Sequence, residues 1–206
     1  MNHKKKLSGF TVVELLFAMS FLSALLILAL ISSISIMRTY SKGLVLKQVN
    51  QSGRTIGAEL QRSLKTAQPP IDSSTVAEGR LCLGAYSYVW SIGDQDPYKY
   101  DDGSTVGFAK VSDATRAMCT TTARPVVPKD SAVELLGGDT TNLRIQDAEM
   151  GSPPSQNGYY LYTFRFTIGT NDPELLNDER SACTSGEGKE FCALNRFTIT
   201  ASAKGV

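Results

Sequence analysis

The pattern of apolar and polar positions changes twice along the chain. From Phe10 to Met37 it is apolar all round: FTVVELLFAMSFLSALLILALISSISIM carries one charge, Glu14. A helix needs about 20 apolar residues to cross a bilayer core. Ser20, Ser23 and Ser32 are compatible with that, because a serine hydroxyl can bond back to a helix carbonyl. Residues 10–37 are therefore predicted to be a transmembrane helix. From 38 to 68 the pattern becomes one-sided. Val45, Val49, Ile56, Leu60, Leu64 and Ala67 recur at helical spacing, with Ser52 filling the one seven-residue step. Lys47, Arg54, Arg62 and Lys65 lie mostly off that face, and Glu59 and Arg62 are spaced to support each other weakly. Gly43, Gly53 and Gly57 each weaken a helix by about 1 kcal/mol. They read either as points of close packing or as neutral surface positions. Pro69-Pro70 end the pattern. A helix from Phe10 to Ala67 would run roughly 85 Å at about 1.5 Å per residue.

Residues 69–206 follow a different code, with short strands between glycine, proline and aspartate turns. Strands are predicted over 81–90, broken at Gly84, and over 105–111, 133–136, 143–147, 159–168 and 191–201. Asp94–Gly103 reads as a polar loop and Gly151-Ser152-Pro153-Pro154 as a turn. The strand over 159–168 has the clearest alternation. Tyr160, Tyr162, Phe164, Phe166 and Ile168 share one face, with Thr163, Arg165 and Thr167 opposite. Phe197 and Ile199 likewise oppose Arg196, Thr198 and Thr200. The expected fold class is α+β, a long N-terminal helix packed on a C-terminal antiparallel sheet with its other face wet.

Charge sets the orientation. Lys4, Lys5 and Lys6 precede the apolar run and should stay in the cytoplasm, which puts the rest of the chain outside. Arg38 and Lys42 weaken that bias without reversing it. The apolar run is too long for a conventional secretory signal and no convincing small-x-small cleavage site ends it. A plain signal anchor fits the length but leaves Glu14 unexplained, since a carboxylate in a membrane helix is costly without a partner.

The chain of 206 residues has a net charge of +1 and one histidine, His3, so histidine-based triads and histidine-rich metal sites are excluded from the folded part. With no glycine-rich phosphate loop either, neither an enzyme nor a cofactor is expected. Cys82, Cys119, Cys183 and Cys192 all follow the span, and four cysteines allow three pairings. Outside the cell disulfides are the default. Without CxxC or histidine a zinc site is not expected. Asp94, Asp96, Asp101 and Asp102, and again Asp172, Glu174, Asp178 and Glu179, could ligate calcium. The first group lacks EF-hand spacing, and both read as solvated loops.

The N-terminal features converge on one family. Lys4-Lys5-Lys6-Leu7-Ser8-Gly9-Phe10-Thr11-Val12-Val13-Glu14-Leu15-Leu16 resembles the class III signal of type IV pilins and type II secretion pseudopilins. The resemblance implies a cut between Gly9 and Phe10 by a prepilin peptidase and N-methylation of Phe10. Residues 1–9 would be the leader, 10–37 the membrane segment, 38–68 the amphipathic second half of the helix, and 69–206 the disulfide-stabilised head. Cleavage would leave 18 basic against 20 acidic side chains. The resemblance also gives Glu14 a role. Its carboxylate would pair with the N-terminal amine of a neighbouring subunit, which removes the burial cost and fixes the register of assembly. The favoured cysteine pairing is Cys183–Cys192 with Cys82–Cys119, and the first of these follows the family's habit of stapling a C-terminal loop.

The implied function is a structural subunit of a type IV pilus-like filament. Many major pilins have a proline at the position of Ile31, so its absence and the mature length favour a minor, tip or priming pilin. A type II secretion or DNA-uptake pseudopilin and a major pilin are the alternatives. A surface adhesin is a further reading, motivated by Tyr86, Tyr88, Trp90, Tyr98 and Tyr100. The implied partners are the prepilin peptidase, other pilin subunits through the N-terminal helix, and the inner-membrane assembly platform. An adhesive head would add a surface receptor or DNA. The implied location is the cell membrane before assembly and the cell-surface filament afterwards.

Overall fold

The computed structural model describes residues 11–93, 95–121, 123–137, 142–151, 158–186 and 188–204. Helix α1 covers Val12–Thr66 and is helical through Ile31. The chain divides into two compact units between Ser41 and Lys42. The described part of the first unit is α1 alone after Thr11, and its side chains are exposed.

The second unit begins with the rest of α1 and continues into seven strands. These are β1 (Arg80–Leu83), β2 (Tyr86–Trp90), β3 (Phe108–Ser112), β4 (Ala132–Glu134), β5 (Leu143–Gly151), β6 (Tyr159–Thr170) and β7 (Leu194–Lys204). A one-turn helix, α2 (Ala117–Thr120), lies between β3 and β4. All strand pairings are antiparallel, in two sheets of order β1-β2-β3-β4 and β5-β6-β7. The single expected sheet is thus two. A parallel bridge between Ile92 and Ile145 joins them. Gly84, in the left-handed region at φ 63°, turns β1 into β2. This is a conformation that glycine adopts without steric cost.

One core joins the helix to both sheets. Val49, Ile56, Leu60 and Leu64 are fully buried on the one-sided stripe of α1. Burying each such side chain stabilises the fold by about 1.5–3 kcal/mol. Facing them are Leu81, Tyr88, Trp90 and Phe108 from the first sheet and Tyr162, Phe164, Phe166 and Ile168 from the second. Trp90 links the sheets: it stacks on Phe108 at 5.2 Å between ring centroids and meets Phe164 edge-on at 5.9 Å.

The seven-residue step in the stripe is filled by Gly53, not Ser52. Gly53 is buried, and a Cβ there would overlap the ring of Phe197 on β7. One turn on, Gly57 faces Ile199 at ordinary contact distance, whereas Gly43 has nothing near it. The helix therefore closes on β7 because one glycine leaves room for one ring. Asn195 Nδ2 donates to Asn50 Oδ1 (2.6 Å) and Gln61 Nε2 to the Thr200 carbonyl (3.3 Å), so β7 runs alongside α1 in the same direction.

A polar set ties α1 to the first sheet. Lys110 Nζ donates to Glu59 Oε1 (2.7 Å), and Ser63 Oγ and Tyr88 Oη lie 2.6 Å apart. The Lys110 ammonium holds the Glu59 carboxyl below the usual carboxylate range against its partial burial, and burial pushes the Tyr88 phenol up. Lys110 also sits over the Tyr86 ring, 3.8 Å from its centroid.

The first sheet does not have a wet outer face. Val89, Ala109 and Val111 pack there against Tyr98, Tyr100, Val106 and Val127 in a second core. The loop expected to be merely polar supplies two buried tyrosines.

Gly53→Ala should therefore lower stability by about 1–3 kcal/mol through overpacking against Phe197, while Gly43→Ala should raise it by up to about 1 kcal/mol. Denaturant midpoints of the two variants check this. Glu59 gives a pH signature. Its carboxyl is depressed in the folded state, so its stabilisation is present above the ordinary carboxylate pKa and is lost as pH falls through the depressed value. Lys110→Met should flatten that acid limb in a stability-against-pH series.

Candidate functional site

The N-terminal segment is the candidate site for processing and assembly. Gly9 and Phe10 lie outside the described residues. Glu14 is described, and it has a partner within the chain. Its Oε2 accepts hydrogen bonds from the Thr11 backbone N–H (2.9 Å) and the Thr11 hydroxyl (3.0 Å). The Thr11 hydroxyl oxygen in turn lies 3.3 Å from the Glu14 backbone N–H, which donates to it. This reciprocal arrangement is a capping box, with Thr11 as N-cap and Glu14 at the third helical position. A carboxylate there also meets the positive end of the helix dipole. Thr11 was not among the residues singled out from sequence. The signal was present as Thr-x-x-Glu directly ahead of an apolar run.

Beyond Glu14, α1 up to Met37 carries no charge. Most of its hydroxyls are satisfied by the helix itself. Ser20, Ser23, Ser32 and Ser33 each donate to the carbonyl four residues back, at 2.8–2.9 Å. Thr39 does the same to Ser35 at 3.0 Å. Each of these hydroxyls therefore has its partner without water, the condition a bilayer core imposes. Among the described residues one helix is long and apolar enough to cross a membrane, and it is this one.

The cysteines lie in two places in the head. Cys82 on β1 is bonded to Cys119 on α2, and Cys183 to Cys192 just before β7. Charges hold α2 at both ends. The Asp113 carboxylate accepts from the Ala117 and Met118 N–H groups (3.0 and 2.9 Å), from Ser87 Oγ (2.8 Å) and from Thr115 Oγ1 (3.0 Å). Burial alone would push the Asp113 carboxyl up, but these donors together hold it below its ordinary value. At the other end the buried Arg80 guanidinium donates to the Met118 carbonyl (3.1 Å) and to the Thr121 carbonyl (2.6 Å).

Glu134 was also not singled out. Its two oxygens accept from the backbone N–H groups of Gly107, Phe108, Leu136 and Gly137 and from the Tyr100 hydroxyl. No local sequence signal marks it, because three of its five donors come from residues 26 or more positions away.

Acids of both loops are taken by the chain's own donors. Asp102 is engaged by Lys129 and by Ser104, and these contacts hold its carboxyl well below the usual range. Asp172 Oδ1 caps the Glu174 N–H (3.0 Å). Asp94 lies outside the described residues. Among the described residues no group of three or more His, Cys, Asp or Glu is placed to hold a metal.

The aromatic surface expected of an adhesin is mostly interior. Tyr88, Trp90, Tyr98 and Tyr100 are buried, and only Tyr86 is exposed, at 40%. Tyr98 Oη donates to the Glu78 carbonyl (2.8 Å). These rings fill the two cores instead of presenting a face.

The architecture is pilin-like in general, with a single long apolar N-terminal helix whose second part packs on antiparallel β-structure. No protein-family model matches the chain, and comparisons with curated proteins and with solved structures find no match either.

The two disulfides should differ in worth. Cys82–Cys119 spans 37 residues and Cys183–Cys192 spans 9. In the chain-entropy account the longer loop stabilises more, by about 1 kcal/mol. Urea midpoints of Cys82→Ser/Cys119→Ser against Cys183→Ser/Cys192→Ser should show the first pair of substitutions to be the costlier.

Proposed function

We propose that this chain is a structural subunit of a type IV pilus-like filament. A prepilin peptidase cuts after Gly9, Phe10 is N-methylated, and the chain waits in the membrane with its head outside. The assembly platform then draws it into a filament through α1. One observation carries this reading. The first part of α1 presents apolar side chains on every face, with Ser20, Ser23, Ser32 and Ser33 bonded back to the helix, while the second part is covered on one face only by its own head. A helix of the first kind suits lipid and then the packed neighbours of a filament equally. Helicity through Ile31 suits a minor subunit or a secretion pseudopilin.

In the single chain Glu14 holds Thr11. On assembly its carboxylate exchanges that partner for the Phe10 amine of a neighbour, a charged donor that binds a carboxylate more strongly than a hydroxyl does.

The test reads processing and incorporation together. Intact mass of the chain from its native membrane should show loss of residues 1–9 and one added methyl group. Glu14→Ala should be made, inserted and cleaved, yet reach sheared filaments at a several-fold lower ratio to the membrane pool than the wild type. Gly9→Ala should fail one step earlier, with the leader retained. A mature chain that begins elsewhere, or an unchanged ratio for Glu14→Ala, overturns the corresponding step. Copy number per filament separates a minor, tip or priming position from a repeating one.

A further inference from the structure

The outward face of α1 in the second unit has a composition the packing does not explain. Lys47, Gln51, Arg54, Ala58, Arg62 and Lys65 recur every three or four residues and are all exposed. They form a ridge about 27 Å long, on the side away from Val49, Gly53, Ile56 and Leu60. The ridge holds four cations and no acid. Glu59, the one acid on this part of the helix, is taken by Lys110 and feels Arg62 only through space. Among the described residues Lys47, Arg54 and Lys65 make no ion pair.

The rest of the chain carries the opposite charge. Residues 67–206 contain 12 basic and 18 acidic side chains, whereas residues 42–66 contain five basic and one acidic. Much of the acid is satisfied internally: Glu134 by backbone donors, Asp113 by α2, Asp102 by Lys129, and Glu149 by Arg165. Glu174, Asp178 and Glu179 are all exposed in the loop between β6 and β7, and like Asp130 and Asp147 they make no ion pair among the described residues.

We infer that the ridge Lys47–Arg54–Arg62–Lys65 docks the acidic loop Glu174–Asp178–Glu179 of a second copy of this chain. This rests on the filament reading and names the contact between neighbouring subunits. Three observations carry it. The ridge points away from its own head, so its own loop cannot reach it. The loop leads into β7, and Asn195 at the start of β7 is bonded to Asn50, so the loop and the Lys47–Arg54 end of the ridge lie at one level along the helix. A second copy standing side by side therefore presents acid to base at matching height, and a copy displaced along the axis reaches Arg62 and Lys65 instead. Finally, one contact neutralises both surfaces at once. A polyanion would meet the ridge but be repelled by the surplus acid of the head, while a second copy satisfies both. The pairing also implies that copies of this chain stand next to one another, not singly at a tip.

The test is zero-length carbodiimide coupling of the full-length chain in its membrane, with the covalent dimer isolated and mapped. Lys47 or Lys65 should be joined to Glu174, Asp178 or Glu179, and the dimer yield should fall as salt is raised. Arg54→Glu with Arg62→Glu should lower the yield about tenfold, as should Glu174→Lys with Glu179→Lys. The four substitutions in one chain should restore it, a rescue that misfolding does not produce. Dimers insensitive to both reversals, or mapped only to other residues, overturn the inference. So does protection of the ridge lysines by anionic vesicles or duplex DNA without dimer formation. The readout is independent of filaments. Mapped dimers in membranes from which no chain reaches sheared filaments would remove the filament reading and leave the contact standing. Assembly unaffected by the reversals would remove the contact alone.

Discussion

The head depends on how closely α1 approaches β7. Gly53 leaves space for the Phe197 ring, and this lets the apolar stripe of the helix settle against the second sheet. Phe197 stacks on Phe166 at 5.3 Å, Phe166 meets Phe164, and Phe164 meets the edge of Trp90. A continuous chain of rings thus leads from the helix contact to the junction of the two sheets. Interiors are packed near crystal density, so a shift at one end of such a chain is felt at the other. The polar contacts of Glu59, Ser63 and Asn50 sit around this apolar contact and fix its register, because each pairs with one particular strand residue.

Much of this was legible in the sequence, for a physical reason. Long periodic segments announce themselves, and the helix ends at Thr66 against an expected end near Ala67, while β6 has its buried face where alternation placed it. The stripe was read correctly at Val49, Ile56, Leu60 and Leu64 but wrongly at its gap. A buried glycine contributes nothing to a hydrophobic pattern, so the spacing alone points to Ser52 as the missing member. The division into two sheets was not legible because strand pairing is set by partners far away in sequence, and the junction at Ile92–Ile145 joins segments 53 positions apart. The loop around Asp101 misled in another way. Its many acids and glycines describe its rim, while Tyr98 and Tyr100 turn inward beneath it.

The candidate site divides along the same line. Glu14 was visible as a lone charge, and its partner Thr11 was visible in principle as a local spacing, because capping is a short-range interaction. Glu134 was invisible because its carboxylate collects backbone donors from separate segments, and Asp113 because the fold brings the distant Ser87 hydroxyl to a carboxylate that also caps α2. They anchor connections between the strands. This is how a head with short strands keeps long connections in place: a single ionised oxygen pair replaces several backbone hydrogen bonds that a sheet would have supplied.

The pairing of α1 with β7 also governs when the protein can fold. Asn50 and Asn195 are separated by 145 positions, and the strand that covers the helix is made after the other six described strands. Until then the stripe from Val49 to Leu64 has only part of its cover. Contacts this distant in sequence form slowly, because the loop-closure entropy must be met before they give anything back. Until β7 emerges the helix therefore stays exposed to wrong partners, including other nascent copies. Loss of β7 alone would leave the six earlier strands in the chain and still deny the helix its closest neighbour. Quality control acting on this chain would thus watch β7, since that strand reports that the six before it have arrived.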